Sequence, residues 1–95
     1  MHVISRSRIR EFETVHRDAS EPLRRWWNLA KKATWEDFAS LRRDFPQADR
    51  VGEFTVFNIG GNKYRLIAHV FHSDQVLLIR HILTHTDYDR DTWKR

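Results

Sequence analysis

The chain has no cysteine among its 95 residues. Disulfide staples and thiolate metal sites are therefore excluded, and the composition suits a reducing cytoplasm. Glycine and proline are scarce, at three and two residues. No glycine-rich phosphate loop opens a helix, and no low-complexity tract or internal repeat interrupts the chain. No apolar run approaches the length of a membrane span. The stretch MHVISRSRIREFE reaches Arg6, Arg8 and Arg10 before any apolar segment long enough for a secretion signal. A Gly-x-Ser-x-Gly nucleophile motif is missing too. His69, His72 and His81 match no metal-ligand spacing, so neither a metal nor another cofactor is expected.

What the chain does have is apolar surface and positive charge. Four Trp, six Phe and two Tyr give enough ring surface to bury, which argues against disorder. The length allows one domain over residues 1–95 with a single modest core. Seventeen Lys and Arg against 13 Asp and Glu leave a net charge of +4 and a pI of about 10.0. That balance favours a polyanionic partner, and nucleic acid is the commonest one.

Periodicity divides the chain into a helical half and a sheet half. His2 to Ile4 reads as a short strand, and Ile9, Phe12 and Val15 recur at helical spacing over residues 5–18. Ser20 caps a second helix, with Pro22 in its first turn and Leu23, Trp26, Trp27 and Ala30 on one face. Thr34 and Asp37 form a capping box for a third helix that packs Trp35, Phe38 and Leu41 and ends at Pro46. From Glu53 the period becomes two. Strands are expected at 53–59, 62–72 and 75–83, the first pair joined by a two-residue Gly60-Gly61 hairpin. The fold class is α+β, with N-terminal helices on one face of an antiparallel meander and a short C-terminal helix.

Strand parity separates Tyr64, Leu66, Ala68 and Val70, facing the helices, from Lys63, Arg65, Ile67 and His69 on the open face. The strand QVLLIRHIL is expected to be central, which makes the charge of Arg80 costly unless it meets solvent or an anion. In THTDYDRDTW, Thr84 with Asp87, or equally Thr86 with Asp89, caps a last helix. The first choice puts His85 and Tyr88 on one helical face.

These residue types fit RNA cleavage without a metal. A base must take the proton of the 2′-hydroxyl, an acid must protonate the departing 5′-oxygen, and cations must hold the phosphoryl oxygens. His85 and Tyr88 are candidates for the proton transfers, and Arg65, Arg80 and Lys63 for the charge. Each also has an ordinary structural reading. Lys63 and Arg65 can be solvated surface charges, Arg80 half of an ion pair, His85 surface polarity, and Tyr88 a packed ring.

The stretches VFNIGGNKYRLIAHV and IRHILTHTDYDRDTW resemble the signature of HigB-type toxins, within the wider RelE/ParE-like group. The two motifs FNIGGNKYRL and LTHTDYD fall in the right order. The resemblance implies a RelE-like fold and an mRNA interferase that cuts mRNA on the ribosome. It also implies a cognate HigA-type helix-turn-helix antitoxin, and a site at Lys63, Arg65, Arg80, His85 and Tyr88. Asn58 and Asn62 lie inside the motif, where turn geometry accounts for them. Asp87, Asp89 and Asp91 bring negative charge to the same place. They cap the helix, orient His85, or pair with Arg90 and Lys94. A non-catalytic nucleic-acid binder, a ParE-like topoisomerase poison and a structural protein are the competing readings.

Overall fold

Residues 54–84 hold three long strands, and everything else is arranged around them. The computed structural model describes residues 1–94. In chain order it contains β1 (His2–Ile4), α1 (Arg6–Val15), a 3-10 turn (Arg17–Ala19), α2 (Ser20–Lys32), α3 (Phe38–Asp44), β2 (Asp49–Val51), β3 (Phe54–Ile59), β4 (Tyr64–Phe71), β5 (Val76–Thr84), α4 (His85–Asp89) and a closing 3-10 turn (Thr92–Lys94). Among the described residues no helix is long and apolar enough to cross a membrane.

The sheet has five strands in the order β1-β5-β4-β3-β2. β3, β4 and β5 form the expected antiparallel meander. β1 joins β5 in parallel and makes the sheet mixed, while β2 pairs antiparallel with the outer edge of β3. β2 was not expected, because three residues are too few to show an alternation. β4 is the middle strand; β5, expected to be central, is interior between β1 and β4.

The helices cover the face that parity selects. Leu66 and Ala68 of β4, with Leu77 and Ile79 of β5, pack against Ile9 of α1 and Leu23, Trp26 and Ala30 of α2. Trp26 meets the Phe57 ring edge-on at 5.4 Å, and Phe45 closes on the same ring at 5.1 Å. Helix starts differ from expectation in detail. Ser20 lies inside α2, whose first turn has no side-chain cap. α3 is capped by Asp37 in a reciprocal box with Ser40, not by Thr34. It stops at Asp44, since the residue before a proline is steered away from helical geometry.

The opposite face is not open. Val56, Ile67 and Trp93 form a second, smaller core, joined by Val51, Phe54, Leu83 and Tyr88. Asp91 adopts a left-handed φ of 62° and turns the chain back over the sheet. Trp93 Nε1 then donates to the Tyr88 carbonyl at 2.9 Å, and the two rings stack at 5.1 Å.

Two local irregularities bear on the site. Ile59 pairs with Tyr64, so the β3–β4 connection has four residues, 60–63, instead of two. Gly60 and Gly61 both have left-handed φ, of 63° and 69°, conformations that glycine reaches without steric cost. In β5 the register jumps from Ile67↔His81 to Ala68↔Ile79, leaving Arg80 as the extra residue of a bulge.

Leu66 is fully buried between sheet and helices. Replacing it by Ala should destabilise the fold by about 2–5 kcal/mol, read as a lowered midpoint in denaturant unfolding. A cost within measurement error would contradict the helix–sheet core described above.

Candidate active site

Arg65 lies on the second face of the sheet, paired across to Leu83, and is only 8% exposed. Its Nη1 donates to the carbonyls of Asn62 at 3.2 Å and Tyr64 at 3.1 Å. Its Nη2 donates to Asn62 Oδ1 at 2.6 Å and meets His85 Nδ1 at 3.3 Å. All four acceptors are electrically neutral. Among the described residues no carboxylate forms an ion pair with Arg65. A desolvated cation normally requires a counter-ion, so this guanidinium keeps a strong attraction for an anion.

His85 begins α4. Of the two capping choices the structure takes the first: the Thr84 hydroxyl accepts the Asp87 backbone N–H at 3.1 Å. The His85 N–H donates to the Lys63 carbonyl at 3.0 Å, tying the β3–β4 loop to the start of α4. An arginine N–H can only donate, so His85 Nδ1 is the acceptor of that contact. The proton of the neutral ring then sits on Nε2, which faces Asp89 Oδ2 at 3.4 Å.

Tyr88 completes the cluster one turn later. The Arg65 guanidinium carbon lies 5.5 Å from the centre of its ring. Burial, reinforced by the Asp49 carboxylate and only partly offset by Arg65, raises the Tyr88 phenol above its ordinary value. The hydroxyl is therefore protonated at neutral pH and is a weaker acid than a free phenol.

Arg65, His85 and Tyr88 thus meet, while Lys63 and Arg80 stand apart. Lys63 does not share the Arg65 face. Its Nζ reaches Asp18 at 3.2 Å, and the other oxygen of Asp18 accepts from the Tyr64 hydroxyl. Lys63 belongs to the loop rather than the strand, so strand parity does not govern it. Arg80 is exposed in the bulge, three positions along β5 from Leu83, the partner of Arg65. Among the described residues no carboxylate forms an ion pair with Arg80.

The acidic residues are each engaged locally. Asp89 faces His85 at 3.4 Å, Asp87 meets Arg90 at 3.6 Å, and Asp91 meets Lys94 at 3.3 Å. Asn62 and Asp89 were absent from the expected site. Asn62 has an adequate turn explanation, and only a side-chain acceptor three residues before Arg65 hinted at more. Among the described residues no group of three or more His, Cys, Asp or Glu is placed to hold a metal.

Helices on one face of a β-meander, with a short C-terminal helix bringing an imidazole and a phenol to a sheet-borne arginine, define a RelE-like α+β protein. The HigB toxin family, the RelE-like toxic component of a toxin-antitoxin system, matches residues 19–91, and the chain belongs to that family. It is 30% identical over 92 residues to the mRNA interferase toxin HigB of Escherichia coli (strain K12), covering 94% of this chain and 88% of the relative. The mRNA interferase HigB of Shigella flexneri gives the same identity and coverage. A HigB of Escherichia coli O6:H1 is 25% identical over 95 residues, covering 97% of this chain and 92% of the relative. Membership of a toxin–antitoxin family implies an antitoxin as partner.

The Asp18 contacts generate a pH prediction. Hydrogen bonds from Tyr64 and then Lys63 hold the Asp18 carboxyl below the usual carboxylate range. A depressed folded-state value stabilises the fold above the unfolded-state value, and the gain is lost as pH falls through the folded one. Stability should therefore decline on acidification below the ordinary carboxylate range. Asp18→Asn should flatten that part of the profile of melting temperature against pH. An unchanged acid limb would show that the contact is not populated in solution.

Proposed function

We propose that the chain is an mRNA endoribonuclease, the activity carried in the names of its relatives. It cuts by attack of the RNA's own 2′-hydroxyl. The observation that carries this reading is the Arg65 guanidinium, buried without a carboxylate partner and in contact with both His85 and Tyr88. A scissile phosphate supplies the missing anion, and Arg is suited to it because its planar fork can bind two oxygens at once.

On this reading a phosphate oxygen replaces His85 at Arg65 Nη2, and the freed Nδ1 accepts the 2′-hydroxyl proton. The 2′-oxygen forms a bond to phosphorus as the bond to the 5′-oxygen breaks. Tyr88, whose phenol is protonated at neutral pH, donates its proton to that leaving oxygen. The products are a 2′,3′-cyclic phosphate and a 5′-hydroxyl. Solvent exchange then returns the proton to Tyr88 and removes it from His85. Arg80 swings in from the bulge as a second cation, and Lys63, held by Asp18, acts on the flanking backbone. The substrate is mRNA on the ribosome, which places the protein in the cytoplasm, and the antitoxin is of the HigA helix-turn-helix type.

Single-turnover cleavage on programmed ribosomes tests the assignment. Arg65→Ala should slow the reaction by about 10²–10³-fold, as for loss of an oxyanion donor. His85→Ala should cost about 10²–10⁴-fold. An mRNA carrying a 2′-deoxy or 2′-O-methyl nucleotide at the cut site should bind and stay intact. Cleavage of the blocked mRNA at the same position would exclude 2′-oxygen attack. Full activity in both folded variants would move the site elsewhere.

A further inference from the structure

We infer that Asn62 is a positioning residue for Arg65, and that its amide is chosen because it orients the guanidinium without neutralising it. The inference rests on the reading of Arg65 as the phosphate-holding residue and deepens it.

Asn62 supplies two of the four acceptors around the guanidinium, its carbonyl at 3.2 Å and Oδ1 at 2.6 Å. The Oδ1 contact is the shortest that Arg65 makes. Together the two engage both terminal nitrogens and so fix the plane of the fork as well as its position. The loop is shaped to allow this. Successive left-handed residues at Gly60 and Gly61 return the chain so that Asn62 overhangs a strand residue three positions later. The same loop is held from the other side, because the Lys63 carbonyl accepts the His85 N–H at 3.0 Å. One short loop therefore sets Arg65 and His85 relative to each other.

The chemical identity of the acceptor matters. A carboxylate at 2.6 Å would bind the guanidinium more tightly, but it would supply the counter-charge that the phosphate is meant to supply. Alanine removes the Oδ1 contact, keeps the main-chain carbonyl and leaves the charge. The two substitutions thus separate orientation from charge, and a role confined to forming the turn predicts neither effect, since Asp serves a turn as well as Asn does.

The test compares wild type, Asn62→Ala and Asn62→Asp by two readouts. The first is nitrogen-15 NMR of the Arg65 side chain in the isolated toxin, which reports rotation of the guanidinium without reference to activity. The second is single-turnover cleavage against enzyme concentration, which separates the maximal rate from half-saturation. In wild type, Arg65 should show hindered guanidinium rotation. Asn62→Ala should release it and lower the maximal rate on the order of 10–100-fold, with half-saturation nearly unchanged, the loss expected for a misplaced group. Asn62→Asp should keep the guanidinium immobile yet raise half-saturation. Thermal melting identifies any variant that loses activity by unfolding.

The inference is overturned if Arg65 stays equally hindered in Asn62→Ala, or if Asn62→Asp cleaves like wild type. If the wild-type protein cuts no RNA under any condition, the nuclease reading fails, while the NMR comparison still decides whether Asn62 holds Arg65.

Discussion

The second face of the sheet is organised around one buried guanidinium. Arg65 occupies a strand position with apolar Ile67 and Leu83 beside it on that face and Asn58 opposite it on β3. Placing a full charge there is unfavourable unless its donors are satisfied. The chain meets this with main-chain carbonyls, an amide and an imidazole, and all but the Tyr64 carbonyl are brought in from outside the strand. The four-residue loop after β3 and the start of α4 deliver them. The Trp93 ring, folded back under the left-handed turn at Asp91, holds Tyr88 against the cation from the remaining side. Each of these features would be superfluous around a leucine.

That arrangement satisfies hydrogen bonds without balancing charge, and the distinction separates a structural arginine from a binding one. A structural arginine buried in a small domain is usually matched by an acid. This chain has acids close at hand in Asp87, Asp89 and Asp91, yet each is turned to another partner. Asp87 and Asp91 are offset by Arg90 and Lys94, whereas Asp89 faces the neutral His85 ring and keeps its charge beside the site. A domain of this size has little stability to spare, so an unmatched buried cation fits a protein selected for holding an anion.

The parts of this design visible in the sequence are those governed by simple periodicity. Alternation from residue 54 onward located the three long strands and assigned Leu66 and Arg65 to opposite faces, because burial on one face makes register strict. Cap chemistry marks the last helix, with Thr84–Asp87 and Thr86–Asp89 equally good in sequence, and the structure takes the first. Periodicity failed wherever the backbone leaves it. Counting along a strand places Lys63 beside Arg65, but it sits in a loop opened by two left-handed glycines and turns to Asp18. Arg80 was counted as an ordinary strand residue, although the bulge re-aims it. The closure of the second face was invisible, since it depends on a reversal at Asp91 that no apolar pattern marks. Asn62 carries no distinctive sequence signal of its contact with Arg65, as an asparagine in a tight turn already has a sufficient reason to be there.

Asp89 shows how the same geometry orders the proton chemistry. Its carboxylate faces Nε2 of His85 and Arg65 faces Nδ1, so the two contacts agree on a single tautomer. Reversing the tautomer would set an imidazole N–H against an arginine N–H and leave the carboxylate without a donor. The lone pair of Nδ1 is thereby directed at the group proposed to receive the phosphate. A phosphate oxygen that takes over the Arg65 N–H exposes this lone pair at the moment the 2′-hydroxyl arrives beside it. Without substrate, the lone pair remains capped by the guanidinium. On the proposed reading the base is uncovered by the same contact that binds the scissile group. On that reading recognition and activation are one event, set by a loop of four residues and a helix of five.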